Sequence, residues 1–347
     1  MSSDANCAVA DFDYHLPPEL IAQEPLAERD ASRLLVVDRA TGSLQHDSIS
    51  ALPALLCPDD LIVVNNTRVL PARIFAAKAG TGGNVELLLL HRDPSGVWTC
   101  LARPAKSLKP GTELEVVTDG AFARISVLER LDEGQVRVQF RDNSDDELKR
   151  LGVTPLPPYI RRNLDDAERY QTVYARVPGS AAAPTAGLHI TERLRRGLHE
   201  RGIGWAEVTL HVGLDTFRPV TVDRIDDHRI HREWCLLDAE VARRITDTRS
   251  AGGRVVAVGT TSARTIESWA GEGMPNEGFA GWADLFITPG YGWKAVDALL
   301  TNFHLPRSTL LMMVSSFAGT ELIRQAYRNA IEARYRFYSF GDAMLIV

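Results

Sequence analysis

Only four cysteines occur in the 347 residues, Cys7, Cys57, Cys100 and Cys235, and no two of them form a Cys-x-x-Cys pair. That spacing excludes a zinc ribbon and a disulfide framework, and reduced thiols are expected. No apolar run approaches the ~20 residues needed to span a bilayer, so no membrane segment is expected. The opening MSSDANCAVADFD has neither a basic n-region nor an apolar h-region, which argues against secretion and for a cytoplasmic chain. Internal repeats and low-complexity tracts are missing. There is no excess of positive charge: the formal net charge is −6, against a broadly basic nucleic-acid coat. The GxGxxG of a dinucleotide fold and the GK[ST] of a P-loop are also absent. What remains is a soluble globular composition, 45% hydrophobic and 24% charged, long enough for one large domain or two ordinary ones.

Basic residues are nonetheless clustered locally. Arg161-Arg162 follows LPPY; Arg193, Arg195, Arg196 and Arg201 crowd one segment; Arg324, Arg328, Arg334 and Arg336 lie near the C-terminus. Each cluster reads either as a solvated helix face or as part of a grip on one folded RNA.

Two grammars alternate along the chain. Residues 34 to 38 (LLVVD) and 61 to 65 (LIVVN) are short apolar runs ending in a polar residue, as strands buried on both faces are written. From about Arg73 to Phe140, turn clusters such as Gly80-Thr81-Gly82-Gly83 and Lys109-Pro110-Gly111 separate short β-rich runs. That pattern predicts a small β-barrel or sandwich. After Leu156-Pro157-Pro158 helix and strand alternate again. Helices are expected over 190–200, 239–249, 262–270 and 321–334, and strands over 206–212, 254–259, 284–288 and 343–347. The fold class expected is therefore α/β, a mostly parallel sheet with helices on both faces plus an inserted small β-barrel. The division expected is 1–70 with 155–347 for the α/β domain and 71–154 for the barrel.

Several polar loops fall at predicted strand ends. In Thr301–Gly319 (TNFHLPRSTLLMMVSSFAG), Pro306 keeps the Asn302–His304 peptide extended, and Ser308 or Thr309 can cap a helix that buries Leu310 to Met313. Val255–Val258 runs through Gly259 into Thr260-Thr261-Ser262-Ala263-Arg264, where a helix start with hydroxyls could hold a carboxylate or phosphate and Arg264 could add a bidentate grip. An ordinary N-capped turn reads the same way. Ala183–His189 (APTAGLH) is a second small-residue loop, in which Gly187 would let a flat adenine or ribose approach and His189 stands at a helix mouth; a plain turn reads the same way. His211 sits in a strand. His228, His231 and Glu233 form an H-x-x-H-x-E that matches no standard zinc spacing, so no metal is expected. Tyr291 and Trp293, after Pro289-Gly290, are available for base stacking or for the core.

Taken together, APTAGLH, TLHVG-x-x-TFRPV, VGTTSARTIES, PGY…VDALLTNFHLPRSTL and YRFYSFGDAMLIV, with NNTRVLPAR and DASRLLVVDR near the start, closely resemble one family over nearly the whole chain. It is the S-adenosylmethionine:tRNA ribosyltransferase-isomerases of queuosine biosynthesis. The resemblance implies an α/β domain carrying a β-barrel, and transfer of the ribosyl part of S-adenosylmethionine to 7-aminomethyl-7-deazaguanine at the tRNA wobble position. Epoxyqueuosine-tRNA, adenine and methionine would be the products.

It further implies S-adenosylmethionine as co-substrate, no prosthetic group, and a tRNA with a queuosine-type anticodon as partner. No obligate protein partner is evident and a monomer is expected. The chemistry needs a base near the sulfonium-activated 5′ methylene, an acid for adenine departure, and donors for oxyanions. His304 or His189 is expected as the base, with Asn302 and Thr185 positioning the ribose. Thr260, Thr261 and Arg264, after Gly259, would bind the methionine carboxylate. His211 and Asp342 are candidates for supporting or acid roles. The chain departs from the family pattern at Asp215, Ile190 and Trp293, and Asn66 stands where some relatives carry Asp. The competing readings are a non-catalytic tRNA-binding protein and another tRNA glycosyl-transfer enzyme.

Overall fold

The computed structural model describes residues 8–118, 121–132, 134–142, 145–162, 164–213 and 220–347. Asp215 and the TFRP part of its motif lie outside the described residues. The chain forms two compact units, one of Met1–Arg68, Pro157–Val177 and Ala183–Val347, the other of Val69–Leu156 and Pro178–Ala182.

The strands of the first unit's sheet are β1 (Arg33–Val37), β2 (Leu44–Ser48) and β3 (Leu61–Asn65), and, after the second unit's β4 to β9, β10 (Gly204–Leu210), β11 (Glu233–Asp238), β12 (Val255–Val258), β13 (Gly278–Ala283), β14 (Ala298–Asn302) and β15 (Ala343–Ile346). Their order is β13-β11-β10-β3-β12-β14-β15-β1-β2. The centre is parallel: β3 is flanked by β10 and β12, and β14 follows β12 in the same direction. Parallel pairing recurs between β15 and β1, while β13–β11, β11–β10, β14–β15 and β1–β2 are antiparallel. The sheet is thus mixed, with its parallel strands in the middle.

The continuous apolar run in β3 is explained by burial on both faces. Leu61 and Val63 enter one core and Ile62 and Val64 the other. Helices cover each face: α1 (Leu52–Leu55) and α3 (Glu192–Glu200) on one, α4 (Ala239–Ser250), α5 (Thr260–Gly271), α6 (Thr309–Ala318) and α7 (Thr320–Glu332) on the other. Their starts follow capping chemistry. The side chains of Thr191, Asp238 and Ser308 accept from the backbone N–H of Leu194, Val241 and Leu311. Gly319, at φ 89°, separates α6 from α7, a backbone angle that L side chains rarely adopt.

Two expectations shift. Residues 284–288 are not a strand; the strand is β13, just before, and its alternation of Phe279 and Trp282 with glycine and alanine hid it. Glu233–Asp238 is a strand that the charged HRIHRE context concealed. The other expected elements are present, with ends moved by one or two residues.

In the second unit β4 (Arg73–Lys78), β5 (Asn84–Arg92), β6 (Trp98–Arg103), β7 (Glu113–Thr118), β8 (Ala121–Arg130) and β9 (Gln135–Phe140) pair antiparallel in the order β4-β5-β6-β9-β8-β7. β7 returns to β4, closing a six-stranded barrel. Inward residues such as Ile74, Leu87, Cys100, Leu114, Ile125 and Val138 are fully buried. Closure removes the exposed edges of an open sheet. Helix α2 (Asp145–Leu151) adds Leu148 and Leu151 to the barrel's core.

Candidate active site

Parallel strands β10, β12 and β14 bring their carboxyl ends to the same end of the first unit's sheet, where open α/β folds bind ligands. A cavity there is lined by Thr185, Gly259, Thr260, Thr261, Asn302 and His304, with Tyr159, Tyr338 and Ser339 among its other walls. Loops separated by more than a hundred residues thus meet in one place.

Asn302 closes β14 and is the hub of a buried relay. Its Oδ1 accepts from Thr185 Oγ1 at 3.1 Å, and its Nδ2 lies 3.2 Å from His189 Nε2 and 3.4 Å from the Asp342 carbonyl. His189 also hydrogen-bonds the Arg29 backbone, and burial pushes its pKa down to about 4. With Nε2 accepting from the amide, His189 stands behind Asn302 and not on the cavity wall.

His304 is on that wall. Burial lowers its pKa to about 3, so it is neutral at pH 7. Its Nε2 is 2.8 Å from Thr301 Oγ1. Its backbone is held from both sides: the N–H donates to Tyr327 Oη at 2.8 Å and the carbonyl accepts from Tyr14 Oη. The structure therefore separates the two imidazoles expected as base, one lining the cavity and one supporting the amide beside it.

Gly259 precedes α5 with φ 84° and ψ 155°, a conformation essentially restricted to glycine. No side chain caps the helix. The first backbone N–H groups of α5, beside the cavity-lining Gly259, Thr260 and Thr261, therefore have no capping side-chain oxygen among the described residues. Among the described residues Thr261 Oγ1 is buried with no hydrogen-bond partner, whereas Ser262 Oγ turns back onto the Val258 carbonyl.

Four expected positions have other tasks. Arg264 is buried, and its guanidinium serves protein acceptors: Nη1 donates to Glu233 Oε2 at 2.6 Å, Nη2 to the His231 and Ala283 carbonyls, and Nε to the Leu285 carbonyl. Gly187 makes room for Tyr174, since a Cβ there would lie 2.0 Å from the Tyr174 hydroxyl. Asp342 accepts from the backbone N–H groups of Arg33 and Arg336 and pairs with the Arg33 guanidinium. His211 stacks on Trp234 at 5.4 Å and bonds Thr67 Oγ1 at 2.8 Å, its pKa lowered by burial. None of the four lines the cavity.

Tyr291 and Trp293 are also structural. Tyr291 donates to Glu267, a fully buried carboxylate that also accepts from the N–H groups of Lys294, Ala295 and Val296, and Trp293 packs edge-on to Phe317. The Glu233 of the H-x-x-H-x-E segment is paired with Arg264. Among the described residues no group of three or more His, Cys, Asp or Glu is placed to hold a metal ion, and no helix is long and apolar enough to cross a membrane.

Sequence reasoning missed Tyr14, Tyr159, Tyr327 and Tyr338. Tyr159 and Tyr338 lie in the LPPY and YSFGD segments, so their motifs were a signal; Tyr14 and Tyr327 carry none.

The queuosine biosynthesis protein family matches residues 9–346. The chain belongs to this family. A curated queuosine family relative from Rubrobacter xylanophilus, named S-adenosylmethionine:tRNA ribosyltransferase-isomerase, is 53% identical over 97% of both chains. The crystal structure of the S-adenosylmethionine tRNA ribosyltransferase of Thermotoga maritima is 40% identical, with a TM-score of 0.58 over 97% of this chain and all of that one. This member of the queuosine family thus matches its relatives across both of its units.

Proposed function

We propose that this chain transfers and isomerises the ribosyl moiety of S-adenosylmethionine onto 7-aminomethyl-7-deazaguanine at the wobble position of tRNA, releasing adenine and methionine. The observation that carries the reading is the cavity where a neutral buried imidazole, an oriented amide, a hydroxyl and an uncapped helix start converge. It occurs in a chain that matches a relative of that name end to end.

The sulfonium acidifies the 5′ methylene. His304 takes that proton, Asn302 and Thr185 hold the ribose oxygens, and the first N–H groups of α5 face the methionine carboxylate. A protonated His304 in so dry a site is a strong acid, which suits it to hand the proton on as adenine leaves. The C5′ carbanion expels the ring oxygen from C4′, and collapse of that alkoxide to an aldehyde at C1′ releases adenine with the proton. The amine adds at C4′, its own proton passing to solvent, and regenerates the C5′ carbanion, which closes onto C1′; the alkoxide formed there displaces methionine from C5′ as the neutral thioether and leaves the epoxide. His189 keeps Asn302 in its working orientation. Asp342 serves as an anchor, through its bonds to Arg33 and Arg336. The substrates place the reaction in the cytoplasm, with tRNA as the macromolecular partner and no prosthetic group.

The test is incubation with S-adenosylmethionine and tRNA bearing the deazaguanine precursor. Free adenine and a matching gain in tRNA mass are expected. Intact tRNA binding with neither product would reject the reading and favour a non-catalytic RNA-binding role.

A further inference from the structure

The start of α5 is the shared wall of two spaces. On one side lies the cavity of Asn302 and His304. On the other, a narrow cleft is lined by the same Thr260 and Thr261 together with Ile230, Phe286, Ile287 and Met313, over the Arg264–Glu233 pair. Leu310 borders both.

The two spaces differ in chemistry. The first gathers the hydroxyl, amide and imidazole groups suited to a ribose and its reacting carbons. The second has aliphatic and aromatic walls, with His231 and Thr309 also lining it, and two polar ends. One end is the uncapped first turn of a twelve-residue helix, beside the partnerless buried Thr261 Oγ1. The other is the Glu233 carboxylate, held by the Gly213 N–H and by Arg264. A carboxylate is favoured at a helix N-terminus, an ammonium beside a carboxylate, and a flexible sulfur chain against Phe286 and Met313.

We propose that this cleft is the subsite for the amino-acid end of the sulfonium substrate, which lies across the start of α5 with its nucleoside end in the His304 cavity. The assignment rests on the function proposed above. It gives Arg264 a positioning role: the guanidinium fixes Glu233 and ties together the carbonyl of His231, which lines the cleft, and those of Ala283 and Leu285. It also sets the direction in which the free amino acid leaves.

Ile230 is only partly buried, so Ile230→Trp fills the cleft with little demand on the core. Equilibrium binding of S-adenosylmethionine and of 5′-methylthioadenosine, which lacks the amino-acid end, is then compared. In the variant the first should weaken by about tenfold or more, while the second stays within about twofold. Equal losses, or no loss for either, would overturn the subsite. A second measurement needs no variant. Decarboxylated S-adenosylmethionine should bind the unaltered protein at least about tenfold more weakly than the intact compound if the α5 turn holds the carboxylate. Equal affinity overturns the assignment whatever becomes of Ile230→Trp. Adenine release by the unaltered protein is scored in parallel. Release without discrimination sinks the subsite alone, and absence of release sinks the functional reading.

Discussion

The Tyr327 hydroxyl accepts a hydrogen bond from the backbone N–H of His304 at 2.8 Å, while Tyr14, far away in sequence, donates to the carbonyl of the same residue. The two rings meet edge to face with centroids 5.1 Å apart. Both backbone polar groups of His304 are thus fixed by phenols from the N-terminal segment and from α7. A base must sit within hydrogen-bonding reach of its proton, and small displacements are costly to rate. Tyr327→Phe and Tyr14→Phe should each lower kcat by about 10- to 100-fold with little change in the KM for S-adenosylmethionine. Steady-state adenine release measures both constants. A rise in KM with unaltered kcat would show that the tyrosines serve binding and not the placement of His304.

Acid should destabilise the protein through its buried imidazoles. His304 and His189 have folded pKa values of about 3 and about 4, both depressed chiefly by burial. An unfolded histidine titrates near ~6.5, so the unfolded chain binds more protons as the pH falls below that value. Stability is therefore complete above it and is lost on acidification toward the folded values, by about 2 kcal/mol per histidine at pH 5. Urea unfolding at pH 7, 6 and 5 follows the loss. His304→Gln and His189→Gln should each flatten the slope, and an unchanged slope in both would mean that neither imidazole is held neutral by the fold.

The chain makes some of this legible and hides the rest for physical reasons. The helix start at Ser308 could be read because a cap is a local bargain between one side chain and one N–H. The apolar run of β3 and the barrel's turn glycines are local in the same sense. Asn302, His304, Thr185 and the α5 start were legible as polar groups at strand ends, and they share one cavity. The surroundings of Arg264 are not legible, because its position in the first turns of a helix says nothing of the three carbonyls and the carboxylate that two other segments, 231–233 and 283–285, bring to it. Tyr14 carries no local signal because its hydroxyl bonds a residue nearly three hundred positions away in the chain.

Gly187 looked like an opening for a ligand, and the fold uses it to admit Tyr174. An added Cβ would meet the Tyr174 hydroxyl at 2.0 Å and Thr172 Cγ2 at 2.9 Å. Gly187→Ala should cost about 1–3 kcal/mol as an overpacking change, read as a lower urea midpoint with an unchanged m-value. Tyr174→Phe in the same chain removes the nearest atom and should restore part of the loss. If the double variant is no more stable than Gly187→Ala alone, the strain lies elsewhere in the loop.

Arg264 and Glu233 are both buried and joined at 2.6 Å, so removing one partner leaves the other charge buried without this ion pair. Arg264→Met should destabilise the fold by about 3–5 kcal/mol, whereas Arg264→Met with Glu233→Leu, which removes both charges, should recover much of that. Stability and ligand affinity should then part company. The double variant regains its unfolding midpoint, yet it lacks the Glu233 carboxylate of the cleft and should still bind S-adenosylmethionine weakly. Recovery of binding together with stability would show that the pair matters only for folding.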